Sequence, residues 1–156
     1  MAELKEGAKA PDIKLQTDNG EELKLSSLKG KNVVLYFYPK SDTPGCTTEA
    51  CGFRDADIKI QKLGALVLGV SPDPVKAQAK FRAKFELPFT LLADPDHSAA
   101  EAFGVWVEKS MYGRKYMGVA RTTFLIGKDG KIAKIFEKVK PAGHADEVLA
   151  ALKELD

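Results

Sequence analysis

Two short, almost wholly apolar runs constrain this chain more than any other feature. They are Asn32-Val33-Val34-Leu35-Tyr36-Phe37-Tyr38 and Ala65-Leu66-Val67-Leu68-Gly69-Val70. Neither approaches the length of a membrane span, and neither alternates polar with apolar residues. Such runs read as strands covered on both faces, as in a parallel or mixed sheet. Between them, residues 47–63 read as a helix ended by Gly64. Strand, helix and strand in that order predict a right-handed βαβ unit.

The rest of the chain extends this pattern. Residues 13–16 and 22–25 flank Asp18-Asn19-Gly20, a turn signal, and predict an N-terminal β-hairpin. Ser26-Ser27-Leu28 then begins a short helical turn. A helix is expected over 75–85, a short extended piece over 90–93, and a helix over 97–103 capped by Asp96. Residues 116–126 and 131–139 read as two strands joined by Gly127-Lys128-Asp129-Gly130. A last amphipathic helix over 145–155 places Val148, Leu149 and Leu152 on one face. The expected fold class is α/β, a central mixed sheet with helices on both faces, in one domain over 1–156.

With 156 residues the chain can bury a core without a staple. Its 24 Lys and Arg stand against 22 Asp and Glu, interleaved along the sequence, for a net charge of +2. That balance excludes disorder by charge excess and gives no support to a nucleic-acid partner. The polar, mixed-charge residues 1–7 do not read as a secretion signal, and no apolar run predicts a membrane partner. The expected location is the cytoplasm.

In that setting the two cysteines, Cys46 and Cys51, are informative. A reducing compartment disfavours structural disulfides, so two nearby thiols there are catalytic, redox-sensing or metal-binding, or else small buried apolar residues. Cys46 closes the loop Pro39-Lys40-Ser41-Asp42-Thr43-Pro44-Gly45, which follows a buried strand and opens a helix. Ligands of open α/β sheets bind at such places. Thr43 suits the N-cap and Pro44 the first turn, so Cys46 falls where unpaired N–H groups and the helix dipole favour a thiolate. On position alone, a nucleophile and a buried structural cysteine both remain open.

Spacing adds a second constraint. Residues five apart on an ideal helix have Cα atoms roughly 8.6 Å apart and face different ways. A disulfide needs about 7 Å or less. Cys46 and Cys51 could therefore bond only after the helix start unwinds, which describes a redox switch. The spacing is not C-x-x-C, and His97 and His144 lie far from any zinc-finger spacing or supporting Cys–His motif. Arg121 precedes the apolar run Thr122-Thr123-Phe124-Leu125-Ile126. A charge there is either paired and functional or solvated at a strand end.

These residues together resemble a known family. Tyr36-Phe37-Tyr38-Pro39-Lys40, Thr43-Pro44-Gly45-Cys46-Thr47-Thr48-Glu49-Ala50-Cys51 and Phe53-Arg54-Asp55 are similar to peroxiredoxins of the bacterioferritin comigratory protein (PrxQ) subfamily. Pro39, Thr43 and Cys46 meet the signature P-x-x-x-T-x-x-C, and Cys51 meets the subfamily's second cysteine. The likeness continues through Gly69-Val70-Ser71, Leu87-Pro88-Phe89, Tyr112-Gly113, Arg121-Thr122-Thr123-Phe124 and Gly143-His144-Ala145. One position departs from it: Gln78 stands where the subfamily often has His, which weakens any role there.

The resemblance implies a thioredoxin-like fold and a thiol-dependent peroxidase acting on hydrogen peroxide and organic hydroperoxides. Cys46 would be the peroxidatic cysteine and Cys51 the resolving one. Thr43 and Arg121 would hold peroxide, and Pro39 would shield the site. No metal, haem or flavin is implied; the implied partner is a thioredoxin-type reductant and the implied state a monomer. The helix pattern favours an exposed carboxylate at Glu49 over an ion pair that orients Arg121. Ionising a free thiol completely at pH 7 gains at most roughly 30-fold in rate. Larger acceleration must come from donors on the peroxide, expected from Thr43 Oγ, the Cys46 N–H and Arg121. A thiol–disulfide exchanger would share the cysteines without needing Thr43 or Arg121. A redox-sensing binding module would not turn over.

Overall fold

The computed structural model of the protein describes residues 4–155; residues 1–3 and 156 of the expected domain and polar N-terminal stretch lie outside the described residues. Strands β1 (Lys14–Thr17), β2 (Glu22–Lys24), β3 (Asn32–Phe37), β4 (Ala65–Ser71), β5 (Thr90–Ala93), β8 (Thr122–Ile126) and β9 (Ile132–Phe136) form one sheet, ordered β2-β1-β5-β4-β3-β8-β9. Its centre, β3-β4-β5, is parallel, and both flanks are antiparallel. Strands β6 (Trp106–Met111) and β7 (Arg114–Val119) form a separate two-stranded ribbon.

The two apolar runs lie side by side at the middle of the sheet, which is why they carry no alternation. On β3, Val34 and Tyr36 face one core with Tyr38 beyond them, while Val33, Leu35 and Phe37 face the other. The first core is covered by helices α1 (Pro44–Lys62), α2 (Val75–Phe85) and α4 (His144–Glu154). The second is covered by α3 (Ser98–Ala102), the N-terminal hairpin and the 3-10 turn at Leu25–Leu28. A thioredoxin-like fold with a central mixed sheet and helices on both faces is what the chain adopts. Gly69 is opposite Tyr36 across the β3–β4 ladder, and a Cβ there would sit 2.9 Å from the Tyr36 ring and Leu91. The glycine makes room for a tyrosine that lies flat in the core against Tyr38 and Phe53.

Three expectations change. Residues 116–126 are not one strand: the chain leaves the ribbon at Val119, and Ala120 and Arg121 carry it into β8 of the main sheet. The partner β6 had no strand signal because its six residues, Trp106-Val107-Glu108-Lys109-Ser110-Met111, mix charge with apolar groups on a ribbon open to solvent. The turn Tyr112-Gly113 has φ of 52° and 78°, the left-handed pair of a two-residue hairpin. Helix α1 begins at Pro44, where the capping pattern of Thr43 and Pro44 puts it, rather than at Thr47, where the helix pattern starts. Asp96 accepts the Ser98 N–H, but the carboxylate of Asp94 takes those of Ala99 and Ala100 and so caps α3.

Candidate active site

The carboxyl ends of β3 and β4 meet the start of α1, and the candidate residues converge there. Thr43 is at the N-cap position with extended φ/ψ, and its carbonyl accepts the Thr47 N–H at 2.8 Å. Its hydroxyl does not cap the helix; it donates to the Lys40 carbonyl at 2.8 Å. Cys46 lies in the first turn and is 1% exposed. Glu49 follows one turn later on the same face.

Antiparallel pairing brings the third partner. Phe37 is opposite Thr122 across the β3–β8 ladder, so the next residue out, Arg121, lands beside the start of α1. Its guanidinium then bridges two groups. Nη2 donates to Cys46 Sγ at 3.2 Å and Nη1 donates to Glu49 Oε1 at 2.7 Å. Gly45 backs this fork: a Cβ there would lie 3.3 Å from Nη2. The fork's planarity is what lets one side chain serve both partners.

The electrostatics follow from burial. Burial pushes the Glu49 carboxyl up to about 7, against the pull of the Arg121 charge and hydrogen bond. Burial works against the charge of Arg121 as well, but Glu49 and then Cys46 outweigh it and hold the guanidinium above its ordinary value. The expectation of an exposed carboxylate at Glu49 therefore fails, because its side chain is sealed under the guanidinium with no exposure at all. Oε2 of Glu49 and the Tyr36 hydroxyl are buried without a hydrogen-bond partner among the described residues.

Cys51 is half-buried one and a half turns along α1, and both thiols are free. The helix is unbroken between them. Pro39 is half-buried two residues past the end of β3. A further polar network, unseen in the sequence, fixes the loop that follows. Tyr38 Oη donates to Gln78 Oε1 at 2.6 Å, and Gln78 Nε2 donates to the Leu92 carbonyl at 2.8 Å and Ser71 Oγ at 2.9 Å. Ser71 Oγ donates to Asp73, which also accepts the backbone N–H of Ser41 in the loop before Cys46. Gln78, expected to matter little, is thus wholly buried and fully bonded. A groove at the opposite, amino ends of β4 and β5 is lined by none of these groups.

Comparison with known proteins shows the family. The model described as AhpC/TSA family matches residues 7–135. The chain belongs to the AhpC/TSA family, among the Bcp/PrxQ peroxiredoxins. It is 52% identical to peroxiredoxin Bcp of Bacillus subtilis over 96% of this chain and 95% of that one. It is 47% identical to peroxiredoxin Bcp of Escherichia coli over 99% of each. The solved bacterioferritin comigratory protein of Xanthomonas campestris superposes with a TM-score of 0.91 at 41% identity, covering 97% of this chain and 99% of that one. This peroxiredoxin is a thiol-dependent peroxidase, an oxidoreductase. Among its described residues no cluster of His, Cys, Asp and Glu could hold a metal ion, and no helix is long and apolar enough to cross a membrane.

Proposed function

We propose that Cys46 is the peroxidatic cysteine of this enzyme and Cys51 its resolving cysteine. The observation that carries the reading is the buried fork of Arg121 between Cys46 and Glu49. The Cys46 thiolate attacks the protonated oxygen of ROOH; the S–O bond forms as the O–O bond breaks, leaving Cys46 sulfenic acid and an alkoxide that takes a proton to become ROH. Arg121 and the Cys46 N–H donate to the two oxygens as charge builds on them. Thr43 acts differently from the expected donor. Its single hydroxyl proton is engaged by Lys40, so its lone pairs accept the O–H of the peroxide and aim its oxygen at sulfur. Glu49 orients the guanidinium and touches no substrate atom, and Pro39 limits water at the rim.

Cys51 then attacks the sulfenic sulfur once the first turns of α1 unwind, forming the Cys46–Cys51 disulfide and water. A thioredoxin-type dithiol reduces that disulfide and is itself oxidised. The relative from Xanthomonas campestris supports the substrate class, since its structures concern alkyl peroxide reduction. Residues 1–156 act as one domain, as a monomer in the cytoplasm; this rests on the subfamily resemblance. Burial of Cys46 argues against direct exchange with protein disulfides, which could not reach a thiol only 1% exposed, whereas a hydroperoxide can.

The test is stopped-flow fluorescence of Trp106, which stacks on His97 with centroids 4.0 Å apart, as reduced protein meets hydrogen peroxide. A second-order rate far above the roughly 30-fold that ionisation supplies, and lost in Cys46→Ser, is expected. A rate no faster than a free thiol's would overturn the reading.

A further inference from the structure

The ribbon β6–β7 ends at Val119, two residues before Arg121 of the site. In its register Val107 is opposite Gly118, Lys109 opposite Tyr116, and Met111 opposite Arg114. Directly opposed residues share a face, so these six line one side. Trp106, Glu108, Met117 and Val119 line the other, where Val119 belongs to the core under β3 and β8.

Lys109 does not point away from the protein. A Cβ on Gly118 would lie 3.3 Å from Lys109 Cδ and 3.6 Å from Cε. Its stem therefore leans back across Gly118, two residues nearer the root of the ribbon than its own cross-strand partner. That root is the Ala120 N–H bonded to the Val105 carbonyl at 2.8 Å, and Arg121 is the next residue. At about 3.3 Å per residue, the end of the stem lies about 7 Å along the ribbon from Ala120. Half-buried, the ammonium is pulled below its ordinary pKa by burial and then by Arg121, and Cys46 pulls the other way. No carboxylate pairs with it among the described residues, whereas Lys115, on the far face, pairs with Glu108 at 3.8 Å. On that face Val107 and Tyr116 stand beside it, with Met111 and Arg114 farther out at the turn end of the ribbon.

An unpaired, partly desolvated cation at the root of the ribbon whose chain continues into Arg121 is a receptor for an anion on the substrate. We propose that Lys109 is a specificity-determining residue that binds the carboxylate of small organic hydroperoxides, the carbon frame lying along Val107. Gly118 is part of the device, since any side chain there would displace the lysine stem. The proposal rests on the peroxidatic role of Cys46 given above.

The experiment compares two probes of one shape, cumene hydroperoxide carrying a para-carboxylate and the methyl ester of the same compound. Second-order rates of Cys46 oxidation are measured for each at pH 7, where the acid is ionised. The expected ratio of acid to ester is about fivefold at low salt, collapsing in 0.5 M salt as exposed ion pairs do. The ratio should fall to about one in Lys109→Met, return in Lys109→Arg, and persist in Lys115→Met on the opposite face. An acid-to-ester ratio near one in the wild type, or a ratio unchanged by Lys109→Met, overturns the proposal. A wild type that oxidises slowly with hydrogen peroxide itself would instead overturn the role of Cys46, so the two failures are distinguishable.

Discussion

Arg121 reaches Cys46 and Glu49 with different nitrogens of one guanidinium, at 3.2 Å and 2.7 Å, although 75 and 72 residues of chain separate it from them. The carboxylate fixes the plane of the fork, and the plane fixes where the remaining N–H groups point. Removing either end should therefore have different consequences.

Arg121→Lys keeps a charge but cannot bridge both partners. The second-order rate with hydrogen peroxide should fall by about 10²-fold or more, in line with losing one preorganised donor. Single-turnover stopped flow measures it, and a near-normal rate would count against transition-state binding by Arg121.

Glu49→Gln leaves the fork in place with a weaker anchor. A smaller loss, roughly tenfold, is expected, with Glu49→Ala worse because the fork loses both its anchor and its packing. Equal peroxide rates in all three proteins would remove Glu49 from the positioning role.

The same variant reports on pH. In the unfolded chain Glu49 titrates near 4.5; burial in the fold raises it to about 7. Its stabilising contribution is therefore complete below about 4.5 and is lost as pH rises through 7, a change of about 3 kcal/mol at most. Gln cannot titrate, so the Tm of Glu49→Gln should gain on the wild type as pH rises from 5 to 7.5. His144 runs the other way: burial lowers its pKa, so its contribution is complete above 6.5 and fades in acid, equally in both proteins. A Tm difference that stays flat across this range would show that Glu49 does not titrate there.

Cys51→Ser should leave the first turnover intact, because Cys51 is one and a half helical turns from the reacting sulfur. Steady-state turnover with a thioredoxin-type reductant should fall sharply, and the Cys46 sulfinic acid should accumulate under excess peroxide. Mass spectrometry of the intact protein and a coupled assay check both. Unimpaired turnover would argue against the resolving role.

Gln78→Leu preserves bulk but strands the Tyr38 hydroxyl and takes a donor from the Leu92 carbonyl and from Ser71 Oγ, all buried. A loss of about 2–4 kcal/mol is expected by chemical denaturation. A loss within error of zero would mean that water replaces the amide.

Much of this protein was legible in local sequence, and the reason is range. The buried strands, the turn at Asp18-Asn19-Gly20 and the loop Thr43-Pro44-Gly45-Cys46 are specified by residues adjacent in the chain, so periodicity and capping chemistry expose them. Cys46 in the first helical turn is such a local fact. What tertiary structure decided are the contacts that strand pairing creates at a distance. Glu49 looks like any helix carboxylate until β8 pairs with β3 and lays Arg121 over it. Gln78 looks like a weakened position until Tyr38 and Ser71 close around it. The split of 116–126 into two strands follows from the sheet edge each half joins, which no short window of sequence records. Lys109 is one of many interleaved lysines in the sequence; only the ribbon's register, and the missing side chain of Gly118, let it lean back toward the root of the ribbon.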